Sequence, residues 1–324
     1  MAAFFGIRFD LRDPGLSGVP RAERYAAALD MAEWADRLGF VVLSLSEHHG
    51  SPDGYLPSPL PMAAAVAVRT QQIPIMVAAI IPSFHDPIRL AEDLAVVDLL
   101  APGRINVILA NGYVPDEFEM FGVPLKERAG RTREAVQVLR QAWTGEPFEH
   151  RGRSVRVTPP PATPGGPALI LGGTSDAAAR RAAELGLGYQ PSSGESWPAY
   201  RDACIVAGQP DPGPYLSGDA TITIVAEDPD SMWDRVGPYL MHDAAAYGEW
   251  AEKSGVATGY RAADTVDELR ASGQHRIVTP DALVDALAGQ PLPFAMFHPL
   301  CGGIPPELAW ESLRLVEHEV LPRV

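Results

Sequence analysis

Three side chains able to carry a proton or hold an anion stand in a row at Glu47, His48 and His49. They close the stretch "VVLSLSEHHG", whose first six residues have the apolar content of a buried strand. An imidazole titrates at about pH 6.5, so a histidine delivered to a strand end can both donate and accept protons near neutrality. The competing reading is that His48 is a satisfied core histidine and His49 a rim residue. A second group lies in "GGTSDAAARRAAELG", Gly172 to Gly186. Two glycines permit a tight turn, Thr174 and Ser175 offer hydroxyls, and a helix then begins. Its first N–H groups have no partner within the helix, so they suit a phosphate. The same residues also suit simple helix capping by Thr174 or Ser175. No H-E-x-x-H, no C-x-x-C and no H-x-H on the first strand is present, and no metal ligand set is expected. No G-x-G-x-x-G follows a strand, which argues against a nicotinamide-binding Rossmann site.

The elements that must position these residues alternate. "AFFGIRFDL" reads as a first strand, and Tyr25, Leu29, Ala32, Ala35 and Leu38 then fall at helical spacing. "FVVLSLS" is followed by a proline-led helix over Pro57 to Thr70. "IPIMVAAII" is followed by a helix capped by Asp86 and stopped by Pro102 and Gly103. "RINVILANG" is followed by a long helix with Thr132, Ala135, Leu139 and Ala142 on one face. Further strands are expected at Pro167 to Gly173, Gly186 to Ser192, Ala220 to Ala226 and Pro293 to Pro299. Eight apolar strands alternating with helices point to an α/β (β/α)8 TIM barrel in a single domain spanning residues 1–324. "EPFEHRGRSVRVTPPPATPGG" reads as a short hairpin and a proline-rich connection. Lys253 to His275 is polar and reads as a long mobile insertion, of the kind that often closes over an active site.

In such a barrel the chemistry lies at the carboxyl ends of the strands. Those ends carry Asp10, then Ser46 to His49, then Ala78 and Ala79 with Ser83, Phe84 and His85 beyond. They continue with Ala110, Asn111, Gly112 and Tyr113, then Gly172 to Ser175, then Ser192 and Ser193, and finally His298. Phe84, Tyr113, Met120, Phe121, Tyr189 and Trp197 suit an apolar substrate pocket, or equally the core.

Composition narrows the partners. The formal charge is −15 and no basic run stands out, which argues against a nucleic-acid groove. Only Cys204 and Cys301 are present, which favours a reducing, cytoplasmic compartment over a disulfide framework. The start "MAAFFGIRFD" reads as a strand and not a signal peptide, and no run approaches the roughly 20 apolar residues of a membrane span.

In order along the chain, "SEHHG", "VAAIIPSFHDPIRLAEDLAVVDLLAPGRINVILANGY", "PDEFEMFGVP", "GGTSDAAARRAAELG", "TPDALVDAL" and "CGGIPPELAWESLRLVEHEVLPRV" resemble landmarks of the bacterial luciferase-like flavin monooxygenase family. The resemblance implies that His48 lies beside the flavin ring as the catalytic acid/base. It implies that Glu47, Ala78 and Ala79 line the ring, with a cis Ala78–Ala79 peptide, and that Ser175 and the amides around Thr174 bind the phosphate. Ala110, Asn111, Gly173 and Ser192, at neighbouring strand ends, complete the expected cofactor-binding set. Asn111 departs from the luciferase subunit, which has a phosphate-holding arginine there; an amide cannot form the charge-assisted bidentate bond. Arg180 is one substitute, although it lies within the following helix.

The implied activity is an FMNH2-dependent monooxygenase that uses O2, through a flavin hydroperoxide, to oxygenate an organic substrate. A separate flavin reductase would supply the reduced FMN, and a homodimer is expected. A deazaflavin-dependent hydride-transfer enzyme on the same fold is the alternative. A non-catalytic flavin-binding protein and, more distantly, a metal-dependent hydrolase are further rivals.

Overall fold

The apolar runs form strands and the segments between them form helices, as seen in a computed structural model that describes residues 3–217, 219–256 and 261–324. β1 (Phe4–Phe9) leads to α1 (Arg21–Arg37), β2 (Val42–Leu45) to α2 (Pro59–Arg69), and β3 (Ile75–Ile80) to α3 (Pro87–Leu100). β4 (Ile105–Leu109) leads to α4 (Pro115–Met120) and α5 (Arg128–Ala142). β5 (Phe148–His150) and β6 (Arg153–Val155) pair antiparallel as the expected hairpin. β7 (Ala168–Gly173) leads to α6 (Asp176–Glu184) and β8 (Gly188–Pro191) to α7 (Trp197–Val206). β9 (Asp219–Val225) leads to α8 (Pro229–Ser254) and α9 (Val266–Ser272). β10 (His275–Val278) leads to α10 (Pro280–Ala288) and β11 (Phe294–Phe297) to α11 (Pro306–Leu315).

The chain divides into two compact units. The first comprises the chain up to Ser44, His48–Pro57 and Leu216–Val324. Its strands run in the order β10-β9-β11-β1-β2, with β10–β9, β9–β11 and β11–β1 all parallel. Its core is built from Ile7, Phe9, Leu43 and Ala295 with the aromatic cluster Phe5, Trp34, Phe40 and Phe297. The second unit comprises Leu45–Glu47 and Ser58–Tyr215. Its strands run β3-β4-β7-β8, all parallel. Val77, Val107, Leu109 and Leu171 of the strands and Leu94, Leu139 and Ala142 of the helices are all buried. Parallel strands alternating with helices are the α/β organisation expected of the sequence.

Local signals explain several elements. Asp86 caps α3, accepting from the N–H groups of Ile88 and Arg89. Thr132, Ala135, Leu139 and Ala142 form the buried face of α5. In α1 the buried stripe is Ala28, Met31, Ala32 and Ala35 together with Arg24, whereas Tyr25 and Leu29 are only partly covered. The stripe is rotated because Arg24 is inside: its guanidinium donates to the Ile304 carbonyl and pairs with Asp13.

Two expectations need correction. Lys253 to His275 is not one irregular loop. Lys253 and Ser254 finish α8, Val266–Ser272 forms α9 behind a Thr265 cap, and His275 opens β10. Residues 257–260 of that segment lie outside the described residues. β10 is also a strand beyond the eight expected. A seven-residue helix and a four-residue strand are too short to show a period, and β10 carries only two apolar residues, Ile277 and Val278. No described helix is long and apolar enough to cross a membrane.

Candidate active site

In the second unit the strand ends bring small residues together. The Ala78–Ala79 peptide is cis, as the resemblance implies, and it coincides with a register shift between β3 and β4. Ala78, Ala79, Ala110, Asn111, Gly172 and Gly173 are all half-buried. Neither glycine has room for a side chain: a Cβ on Gly172 would lie 2.8 Å from Ile108 Cγ2, and one on Gly173 would lie 2.5 Å from Ala178 Cβ. The Glu47 carboxylate is buried beside this group. It accepts from the Ile81 N–H at 3.1 Å and meets His85 Nε2 at 3.1 Å. Among the buried polar atoms of this unit without a hydrogen-bond partner among the described residues are Asn111 Oδ1 and Ser83 Oγ.

The loop after β7 resolves the capping question. Ser175 Oγ accepts from the Ala178 N–H, so it caps α6. Thr174 and Ser175 remain exposed at that helix N-terminus, and a hydroxyl oxygen keeps a second lone pair and its own proton for a ligand. Ser192 is exposed, with its N–H bonded to the Gly173 carbonyl. Arg180 is turned to solvent, 58% exposed, and pairs with Asp176 one helical turn back. Of the candidate pocket aromatics, Phe84 stacks on Phe121 at 4.6 Å. Tyr189 is buried with its hydroxyl on Ser196 and the Gly173 carbonyl, Trp197 packs on Tyr200 and Tyr215, and Met120 is exposed.

In the first unit His48 meets an aromatic group. Its ring stacks on Trp250 with centroids 4.1 Å apart and planes 23° apart, and it stands edge-on to Tyr55 at 4.9 Å. Behind these rings lies a buried charge cluster. Arg12 Nε is 3.3 Å from Asp10, and Nη1 is 3.6 Å from Asp53 and 3.9 Å from Asp243. Each carboxylate has its own histidine: His298 on Asp10 at 3.3 Å, His242 on Asp53 at 2.7 Å and His275 on Asp243 at 3.1 Å.

Burial pushes all three carboxyls up. The partners outweigh it, and each is held below the ordinary carboxylate range: Asp10 by His298 and Arg12, Asp53 by His242 and Arg12, Asp243 by His275 and Arg12. Burial pulls the Arg12 guanidinium down, but Asp10 and Asp243 hold it above its usual value. Asp243, His275 and Cys301 place ligand atoms within 4.8 Å of one another. There Arg12 already supplies the positive charge, and burial with the charges of Asp243 and Asp10 pushes the Cys301 thiol well up.

Sequence reading found Asp10, His48 and His298 through their strand ends and missed the rest. Asp243, Tyr247 and Trp250 recur at helical spacing along α8, a legible signal, yet such a stripe reads ordinarily as core. Arg12, Asp53 and Tyr55 sit in Gly- and Pro-rich loop sequence with no period at all.

Comparison with known proteins adds to this geometry. The monooxygenase RslO1 from Streptomyces bottropensis superposes with a TM-score of 0.73 at 26% identity, covering 98% of this chain and 99% of that one. The 4-hydroxyprotoasukamycin monooxygenase of Streptomyces nodosus subsp. asukaensis is 29% identical over 41% of this chain and 34% of its own length. The F420-dependent glucose-6-phosphate dehydrogenase of Nocardia farcinica is 28% identical over 55% of this chain and 56% of its own. The chain thus spans about half or less of the length of these curated relatives. The family model for luciferase-like monooxygenases matches residues 5–291, and the chain belongs to that family.

Proposed function

We propose that the chain is a reduced-flavin-dependent monooxygenase, with Ala78, Ala79, Ala110, Asn111, Gly173, Thr174 and Ser175 among its FMN-binding residues and His48 as its proton-handling residue. The observation that carries this reading is His48 itself. It follows Glu47 directly at a strand end and lies face-on against Trp250, so an imidazole of defined orientation is delivered where barrel enzymes keep their chemistry.

The residues present fit a flavin. Ala78, Ala79, Ala110, Gly172 and Gly173 present little side-chain bulk to a planar ring, and the unpartnered Asn111 Oδ1 and Ser83 Oγ offer it polar atoms. Reduced flavin, when bound, supplies the electrons that activate O2, one atom of which passes to an organic substrate. Glu47 holds the Ile81 amide and so the backbone that follows the cis peptide. Thr174, Ser175 and the first amides of α6 bind the phosphate, and the Ser192 backbone ties down that loop. His48 gives and takes a proton at its ring nitrogens. With Asn111 in place of an arginine, and Arg180 engaged with Asp176, no cation is assigned to the phosphate. Loose holding suits FMN delivered by a separate flavin reductase. A homodimer and a cytoplasmic setting, in keeping with two buried free cysteines, belong to the same reading.

The second reading is deazaflavin-dependent hydride transfer, favoured by the similarity to the Nocardia farcinica dehydrogenase. Anaerobic titration with reduced FMN and, separately, with reduced deazaflavin, followed by mixing with 18O2, separates the two. Preference for reduced FMN with 18O in the product supports the oxygenase. Preference for the deazaflavin with oxygen-independent turnover overturns it.

A further inference from the structure

His48 is stacked on a ring that is itself held from behind. α8 presents Asp243, Tyr247 and Trp250 at positions i, i+4 and i+7, which share one helix face. The Arg12 guanidinium carbon lies 4.7 Å from the Tyr55 ring centroid, 4.8 Å from that of Tyr247 and 5.3 Å from that of Trp250. A cation over aromatic faces is attracted by their quadrupoles, and the attraction strengthens where water is excluded. Arg12 is fully buried and meets Asp10, Asp53 and Asp243. The rings brace one another as well. Tyr247 stands at 89° to Trp250, and the Tyr55 and Tyr247 hydroxyls are 2.9 Å apart, with Arg8 donating to Tyr247 at 2.5 Å. A shift of any of the three rings gives up its contact with a cation that three carboxylates hold in place.

We propose that Trp250 and Arg12 are positioning residues for His48: Arg12 locks the Tyr55–Tyr247–Trp250 cage, and the indole face sets the plane of the imidazole and the direction of its two nitrogens. The assignment rests on the reading of His48 as the proton-handling residue. Its physical basis is separate from that reading. An imidazole stacked at 4.1 Å and flanked edge-on by Tyr55 cannot turn about its own axis without losing the stack. Proton transfer depends on that direction, since displacements of the order of an ångström cost about 100-fold in rate.

The test is NMR of protein carrying 13C at histidine Cε1, without added flavin, with the His48 signal assigned by its loss in His48→Gln. In the parent protein the indole face shields the His48 Hε1 proton. Trp250→Leu moves that signal downfield and lowers kcat by about 10- to 100-fold while KM changes by less than about threefold. Trp250→Phe, which keeps a ring, restores most of the shift and the rate. Arg12→Lys, which keeps the charge and loses the planar fork, also moves the signal. Trp250→Leu protein that is folded by circular dichroism and leaves the His48 signal in place overturns the proposal. Equal loss of rate in Trp250→Phe and Trp250→Leu overturns it too. A parent protein without oxygenase turnover, but with a His48 signal that follows residue 250, refutes the proposed reaction and leaves the positioning role standing.

Discussion

Replacing Arg12 with methionine removes the one charge shared by three buried acids and keeps much of the apolar stem. The guanidinium contacts are 3.3 Å to Asp10, 3.6 Å to Asp53 and 3.9 Å to Asp243, and those side chains are 0%, 5% and 0% exposed. At an effective dielectric of about 20, each contact is worth about 4–5 kcal/mol before desolvation is charged against it. Desolvation and the mutual repulsion of the acids cancel most of that in the intact cluster. Removing one partner leaves the desolvation cost uncompensated, and such losses run at about 3–5 kcal/mol. The loss has a pH signature. In the intact chain the three carboxyls titrate below their ordinary range, so the stability they contribute is present above about pH 4 and is lost as pH falls through their lower folded-state values. Without Arg12 each carboxyl loses one of the partners that lower it while its burial stays, so its folded-state value rises; the variant is penalised most where the carboxyls are ionised, at neutral pH, and the penalty fades as they protonate. Urea unfolding of both proteins at pH 7.5 and pH 5.0 measures this. The expected gap is about 3–5 kcal/mol at the higher pH and clearly smaller at the lower. A gap below about 1 kcal/mol, or one that does not change with pH, would refute the account of the cluster.

Ser175→Ala removes both the α6 cap and an exposed hydroxyl; stability falls by about 1 kcal/mol and reduced FMN binds about fivefold more weakly in an anaerobic titration, with turnover at saturation unchanged. Gly173→Ala sets a methyl 2.5 Å from Ala178 Cβ and costs about 1–3 kcal/mol, read as a lowered Tm; an unchanged Tm would contradict that close approach. Cys204 and Cys301 are 2% and 0% exposed, so an aromatic disulfide reagent at pH 8 finds no fast-reacting thiol in the native chain and two in urea.

The periodic features were legible before any fold was known. Apolar runs ending in Gly, Asp or Glu marked the strand ends, and Asp86 and Ser175 are the caps their positions announced. The abrupt change from "VVLSLS" to Glu47, His48 and His49 marked a candidate site because few structural roles need that composition at a strand end. The loop at Thr174 and Ser175 stayed double in meaning because capping and anion binding use the same donors and acceptors, and in the folded chain Ser175 does cap. β10 and α9 were hidden by their shortness.

The tertiary structure alone decided what stands behind His48. Asp53 and His242 are 189 positions apart and meet at 2.7 Å. Arg12, in the loop sequence "DLRDPG", looks like a solvated turn residue until three acids and three rings close around it. Periods, caps and turns are local and are written in consecutive residues. The pairing of buried charges depends on which groups lose their water together, and only the folded chain determines that.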